Sequence, residues 1–391
     1  MSLPRWQLAV GAQAALAQVS WVGMRLMTSY RALELGADTL MLGLVAAAFA
    51  LPALLGAMSL GRLADHRGGA RLSFAGMLTA AAGGVLVIAA WSPWVLLVGA
   101  GVVGLGNVAI MIGQQSFVAV QSLGGSADSA FGNLTAAASI GQLVGPPLVT
   151  FAAAAAIGPG TGSGAAGASA TIGLIVSTCV LALAMPMFLV LRQSPAAARV
   201  PSPSTRTTAL LRTPGLWRSL VVSAAVLVSV DLLYAFIPAW ATESGIPIET
   251  VGLLLTVRAA VSLLTRLGLQ QLVVRFGRRN LIAGSMACAA VGLACLPFAE
   301  TTGAFIAMIG LGLGLGIPQP LTMSWVVRIT PPAMHGAALG LRMSANRLAQ
   351  ITLPVGIGAL AAPLGAEGVF FANAALLGLA LLTVPRQLDD T

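Results

Sequence analysis

Long runs of apolar residues alternate with short polar stretches along the whole chain, and no strand-like alternation of polar and apolar positions interrupts them. The runs last about 20 residues, the length at which an α-helix crosses the hydrocarbon core of a bilayer. Twelve can be distinguished, at about 7–30, 39–60, 72–91, 94–119, 129–157, 170–191, 217–240, 249–273, 280–298, 303–326, 336–360 and 367–385. Hydrocarbon satisfies no backbone polar group, so runs of this kind predict membrane-crossing α-helices, and a β-barrel would need the missing alternation. Residues 1–20 have the length and small-residue ending of a secretory signal. The apolar run continues through Trp21 and Val22 to Tyr30, however, which predicts a retained first helix.

Composition narrows the class further. Of 391 residues, 58% are hydrophobic and 8% charged, against about 25% charged in a soluble domain. There is too little polar surface to clothe a water-soluble globule, which excludes a cytosolic enzyme, a nucleic-acid-binding protein and a disordered chain. The net charge of +9 would suggest nucleic acid if the basic residues formed an arm. All 20 are arginines, and they are dispersed. Cys179, Cys288 and Cys295 stand singly in apolar runs, and His66 and His335 lie far apart, so neither a disulfide framework nor a metal site is expected. No cofactor is expected either.

The arginines report topology. With the N-terminus placed in the cytoplasm, fourteen fall on the cytoplasmic side (Arg5, Arg62, Arg67, Arg71, Arg192, Arg199, Arg206, Arg212, Arg218, Arg275, Arg278, Arg279, Arg328 and Arg386) and one, Arg31, on the other. Cytoplasmic loops of membrane proteins carry such an excess, and the split requires an even number of spans with both termini cytoplasmic. The expected fold class is an all-α membrane protein of 12 transmembrane helices in two six-helix repeats, in the inner membrane. Residues 1–191 and 217–391 form the repeats. They are joined by a cytoplasmic linker, 192–216, rich in Pro, Ser, Thr and Arg. An offset of about 209 residues maps Gly68 onto Gly277, and an offset of 208 maps Gly132 onto Gly340 and Pro146 onto Pro354. Parallel six-span repeats are a transporter architecture.

Between the second and third runs lies Gly61-Arg-Leu-Ala-Asp65-His-Arg67-Gly68-Gly-Ala-Arg71. This segment resembles the signature loop of the major facilitator superfamily, G-x-L-a-D-r-x-G-r-x-x-l. The resemblance implies that the loop latches the two halves in the outward-facing state. Gly61 would allow close helix approach, and Asp65 would pair with an arginine or cap a helix N-terminus. The second-half copy is degenerate, with Gln270 for the first glycine and Val274 for the aspartate. In the fifth run, Gly141-Gln-Leu-Val-Gly145-Pro146-Pro147 is similar to the G-x-x-x-G-P motif of the superfamily's antiporters, without its trailing glycine pair. A plain packing-and-kink role would use the same residues. In the fourth run, Gly104-Leu-Gly106 resembles R-x-x-x-G-x-G, but Ala100 stands at the arginine position. The first half therefore lacks the arginine and acid of the drug–proton antiporters, which argues against a lipophilic cation as substrate.

Charges within the spans are the candidate chemistry, because each costs at least about 2.5 kcal/mol at the bilayer centre. They are Arg25, Asp231, Arg258, Arg266, Arg342 and Arg347. Arg266 and Arg342 lie near span ends, where a guanidinium can reach the interface, and suit a gating or structural role. Arg25, Arg258, Arg347 and Asp231 are candidate substrate ligands, with Tyr234 one turn beyond Asp231. Asp231 can pair with Arg258 or Arg347, yet one carboxylate cannot neutralise both, so a spare positive charge is left for an anion. Asn107, Gln114 and Asn346 are softer candidates for lining a passage. No nucleotide-binding loop occurs, and the chain has no lysine.

The expected function is alternating-access secondary transport: export of a small organic anion, zwitterion or polar drug or metabolite by proton antiport. Uptake or exchange of a small carboxylate is the second reading, and a non-transporting membrane sensor a distant third. The expected partners are a small-molecule substrate, protons or a counter-substrate and the lipid bilayer, with no nucleic acid, and the protein is expected to be a monomer.

Overall fold

A computed structural model describes residues 4–122, 127–155, 166–192, 213–331 and 334–385. Most of the linker, the region of Gly160 and the acidic C-terminal residues lie outside them. All regular structure among the described residues is helical. The elements are α1 (Arg5–Glu34), α2 (Thr39–Arg67), α3 (Gly69–Ile88), α4 (Pro93–Gln121), α5 (Ala127–Ala155), α6 (Ala166–Ala184) and the short α7 (Met187–Leu191). They continue with α8 (Leu216–Glu243), α9 (Ile248–Leu267), α10 (Leu269–Phe276), α11 (Arg278–Cys295), α12 (Thr301–Gly316), α13 (Pro318–Ile329), α14 (His335–Ala361) and α15 (Gly365–Leu382).

Among the described residues, ten segments are long and apolar enough to cross a membrane. Twelve apolar runs are apparent along the chain, and two local features account for the difference. Helix α1, with Gln13, Gln18, Ser20, Arg25 and Thr28 along it, is not among the ten. Residues Ala338–Leu382 count as one segment, although a 3-10 turn at Ala362–Leu364 separates α14 from α15 within it.

The chain forms two compact units. One comprises Met1–Ala37, Ala48–Pro201 and Pro247–Thr256, the other Asp38–Ala47, Ser202–Ile246 and Val257–Thr391. The first ten residues or so of α2 thus belong with the second unit, and those of α9 with the first. Inside each unit the neighbours repeat. In the first, α1 packs on α5 and α6, and α3 on α4 and α6. In the second, α8 packs on α14 and α15, and α11 on α12 and α15.

Backbone geometry carries the same repeat. Gly36 (φ 78°) and Gly245 (φ 67°) turn α1 into α2 and α8 into α9, while Gly68 (φ 88°) and Gly277 (φ 75°) precede α3 and α11. Both pairs are 209 residues apart, and the left-handed φ is one that side chains with a Cβ rarely adopt. Close packing repeats as well. A Cβ at Gly252 would collide with Thr150 of α5, one turn beyond Pro146, and a Cβ at Gly43 with the carbonyl of Pro354 in α14. Gly358 repeats the contact one turn along, where a Cβ would lie 2.6 Å from the Thr39 carbonyl oxygen. Gly43→Val should therefore lower the melting temperature, overpacking of this kind costing about 1–3 kcal/mol. Gly61→Val should not, because a Cβ there meets nothing within 4 Å. Thermal unfolding of the two purified variants checks the contrast.

Candidate functional site

In the second unit, one face of α14 is polar although it is buried. Arg342, Asn346 and Gln350, spaced four residues apart, are each 5% exposed, and Arg347 beside them is half-buried. Gln350 joins two charges. Its Oε1 accepts from Nη1 of Arg347 at 2.9 Å, and its Nε2 donates a short hydrogen bond to Oδ2 of Asp231 on α8. The amide is oriented from both ends, oxygen toward the cation and nitrogen toward the anion, so it links the two residues electrostatically.

Arg258 on α9 is held differently. Nη2 donates to the hydroxyl of Tyr234 at 3.2 Å, and the guanidinium carbon lies 5.6 Å from the centre of the Tyr234 ring. Arg258 is 5% exposed, and its Nε is buried without an acceptor. One and two turns along the same helix, Ser262 donates to the Gly312 carbonyl at 2.8 Å and Arg266 Nε to the Gly316 carbonyl at 3.5 Å. The sequence explains the second contact. Pro320 has no N–H, so the Gly316 carbonyl lacks its ordinary helical donor at the break between α12 and α13. Arg342 reaches the same break, donating from Nη2 to the Gln319 carbonyl (3.2 Å), Gln319 Oε1 (2.7 Å) and Thr322 Oγ1 (3.0 Å).

In the first unit, Arg25 is buried on α1 with its guanidinium 5.5 Å from the Trp21 ring centre, and Trp21 meets Phe49 edge-on. Trp21, Ser20, Met24 and Asn107 line a small pocket. Gln114 is buried, and together with Ser73 it donates to Gln13 Oε1, at 3.2 and 2.8 Å respectively. Gly141 and Gly145 lie against α1, where a Cβ would strike the Ala15 carbonyl or Val22. Pro146 sits inside α5, and its carbonyl accepts from Thr150 Oγ1 at 3.0 Å.

The signature segment spans the end of α2 and the start of α3, with Asp65, Arg67 and Arg71 exposed. Gly61 departs from expectation. The close helix approach foreseen there is not made in this conformation, because the position of its absent Cβ faces open space. Gln350, Gln319 and Gln13 were not singled out from the sequence. For Gln350 a signal existed, since it continues the buried 342–346 face by one turn.

The fold thus defines a polytopic helical membrane protein with internally repeated units. The model of the Major Facilitator Superfamily matches residues 10–247 and 220–388. No curated protein sequence matches the chain. Solved structures share the fold at low identity. The nucleoside transporter NupG is 14% identical, with a TM-score of 0.79 over 96% of this chain and 97% of that one. A bacterial homologue of the human lysosomal transporter Spinster, inward-facing and unoccupied, is 14% identical, with a TM-score of 0.75 over 98% and 97%. A POT family transporter in complex with 5-aminolevulinic acid is 12% identical, with a TM-score of 0.72 over 97% and 95%. The chain belongs to the major facilitator superfamily. Its general activity is secondary transport of a small molecule across a lipid bilayer, not catalysis.

Proposed function

We propose that the protein exports a small organic anion or zwitterion in exchange for protons, through twelve spans of the inner membrane with both termini cytoplasmic. The observation that carries this reading is Arg258. A guanidinium buried on a neutral tyrosine, with an unpartnered Nε, offers a charge and a directed donor to an anionic group. Asp231, bridged to Arg347 by Gln350, is the group that would take up the proton. Arg25 on Trp21, with Asn107 and Gln114, would contribute from the first half, and Asn346 from the second.

The test is transport into proteoliposomes under an imposed pH gradient. Candidate anions and zwitterions are first screened by thermal shift, with 5-aminolevulinic acid as the initial probe. Accumulation that collapses with a protonophore supports the reading. Accumulation driven by a second anion on the far side, and indifferent to the gradient, replaces it with carboxylate exchange.

The signature loop is proposed as the conformational latch, with Gly61, Asp65, Arg67, Gly68 and Arg71. Since Asp65 is exposed, Asp65→Ala should leave abundance and melting temperature near those of the wild type while reducing transport at least about tenfold, equivalent to about 1.4 kcal/mol. Normal transport at normal abundance would leave the loop as a topology signal only.

A further inference from the structure

Arg342 is as deeply buried as Arg258, yet the oxygens that hold it are all neutral: the Gln319 carbonyl, the Gln319 side chain and Thr322. They orient the guanidinium without compensating its charge, and its Nε remains buried with no acceptor. Gln319 extends the cluster to α8. Its Nε2 donates to the Ser223 carbonyl at 3.0 Å, so one amide group, fixed at both ends, connects Arg342 to Ser223. The Ser223 hydroxyl is fully buried and also unpartnered. The Gln319 amide therefore links α8, α13 and α14 beside a buried cation, and two donors of the cluster, Arg342 Nε and the Ser223 hydroxyl, are without acceptors. Tethering α14 to the start of α13 accounts for the bonds made by Nη2. It leaves the charge, Nε and the serine hydroxyl unexplained.

We propose that Arg342 and Ser223, positioned by Gln319 and Thr322, form a binding site for a small monovalent anion, separate from the substrate ligands Arg258 and Arg347. An anionic atom accepting from Nε and from the serine hydroxyl would supply both the missing counter-charge and the missing acceptor. The same chemistry has two sources, a free halide-sized inorganic anion and the carboxylate of a transported molecule.

The experiment uses the purified full-length protein with no transport substrate present, so its outcome is independent of the proposed function. Melting temperature is followed as sodium gluconate is replaced by sodium chloride or by sodium formate at constant ionic strength. A ligand of the native state raises the melting temperature in a saturable way. The expected result is a saturable rise of several degrees in the wild type, absent from Arg342→Gln and weakened in Ser223→Ala. A rise with chloride marks a free inorganic anion; a rise with formate alone marks a carboxylate. If Arg342→Gln does not fold, Arg342→Lys serves, because it keeps the charge and loses the fork. It should require at least about tenfold more anion for half the effect. Equal melting temperatures in all three salts would overturn the proposal, as would an unchanged response in both arginine variants.

Discussion

Arg258→Gln should abolish substrate binding while leaving the melting temperature unchanged or slightly raised. The combination follows from what holds Arg258 in place. Its hydrogen bond and ring contact both go to Tyr234, a neutral residue, and its Nε has no partner. Removing the charge relieves the desolvation penalty of a buried guanidinium that no ion pair among the described residues offsets, and breaks one hydrogen bond to Tyr234. Binding is affected in the opposite direction. A buried charge pair with the substrate is worth about 2–5 kcal/mol when one partner is truncated, which corresponds to a loss of at least about thirtyfold. Arg258→Lys should recover binding only in part, because an ammonium cannot reproduce a planar fork. Affinity and melting temperature measured on the same preparations check both halves of the expectation. Unchanged affinity in Arg258→Gln would remove the residue from the site. A large fall in melting temperature would assign it to the scaffold.

Why Arg258 was legible and its surroundings were not is a matter of what a sequence displays. A charge within a span is costly wherever it lies, so Arg25, Asp231, Arg258, Arg342 and Arg347 could be singled out from position alone. The repeat was also legible where glycine geometry imposes it, as at Gly68 and Gly277, whose left-handed φ is needed at both turns. The amide side chains were not. Gln350 matters because its two ends meet charges on different helices, and Gln319 because it spans from Arg342 to Ser223. Those partners are 23 to 119 residues away in sequence, apart from Arg347 on the same helix, and no local pattern reports them. The contact of Arg266 with Gly316 is intermediate. Pro320 announces a carbonyl without its donor, but which cation would reach it is decided by packing.

Asp231→Asn should uncouple transport from the proton gradient without preventing exchange. In the structure the carboxylate accepts from Gln350, whose oxygen in turn accepts from Arg347. Protonating Asp231 removes the negative end of this chain, weakens the hold on the amide and leaves Arg347 more available to an anion. In the proposed cycle, deprotonation would restore the chain and compete with the substrate for Arg347. An asparagine at this position can still accept from Gln350 but cannot take up a proton. The variant should therefore lose at least about tenfold in gradient-driven accumulation, about 1.4 kcal/mol, while substrate counterflow continues. Gln350→Leu tests the bridge itself. Hydrogen bonds to charged groups contribute about 1.5–3 kcal/mol each, so loss of both should lower the melting temperature clearly. Single neutralisation of Arg347 should also destabilise, since it takes the charged donor away from the Gln350 oxygen. The double variant Asp231→Asn/Arg347→Gln separates structure from function. If the two charges serve only each other, removing both restores stability and binding together. If Arg347 is a substrate ligand, stability returns and binding does not. The two introduced amides can still hydrogen-bond to Gln350 from either side, while the charge that would meet the anion is gone.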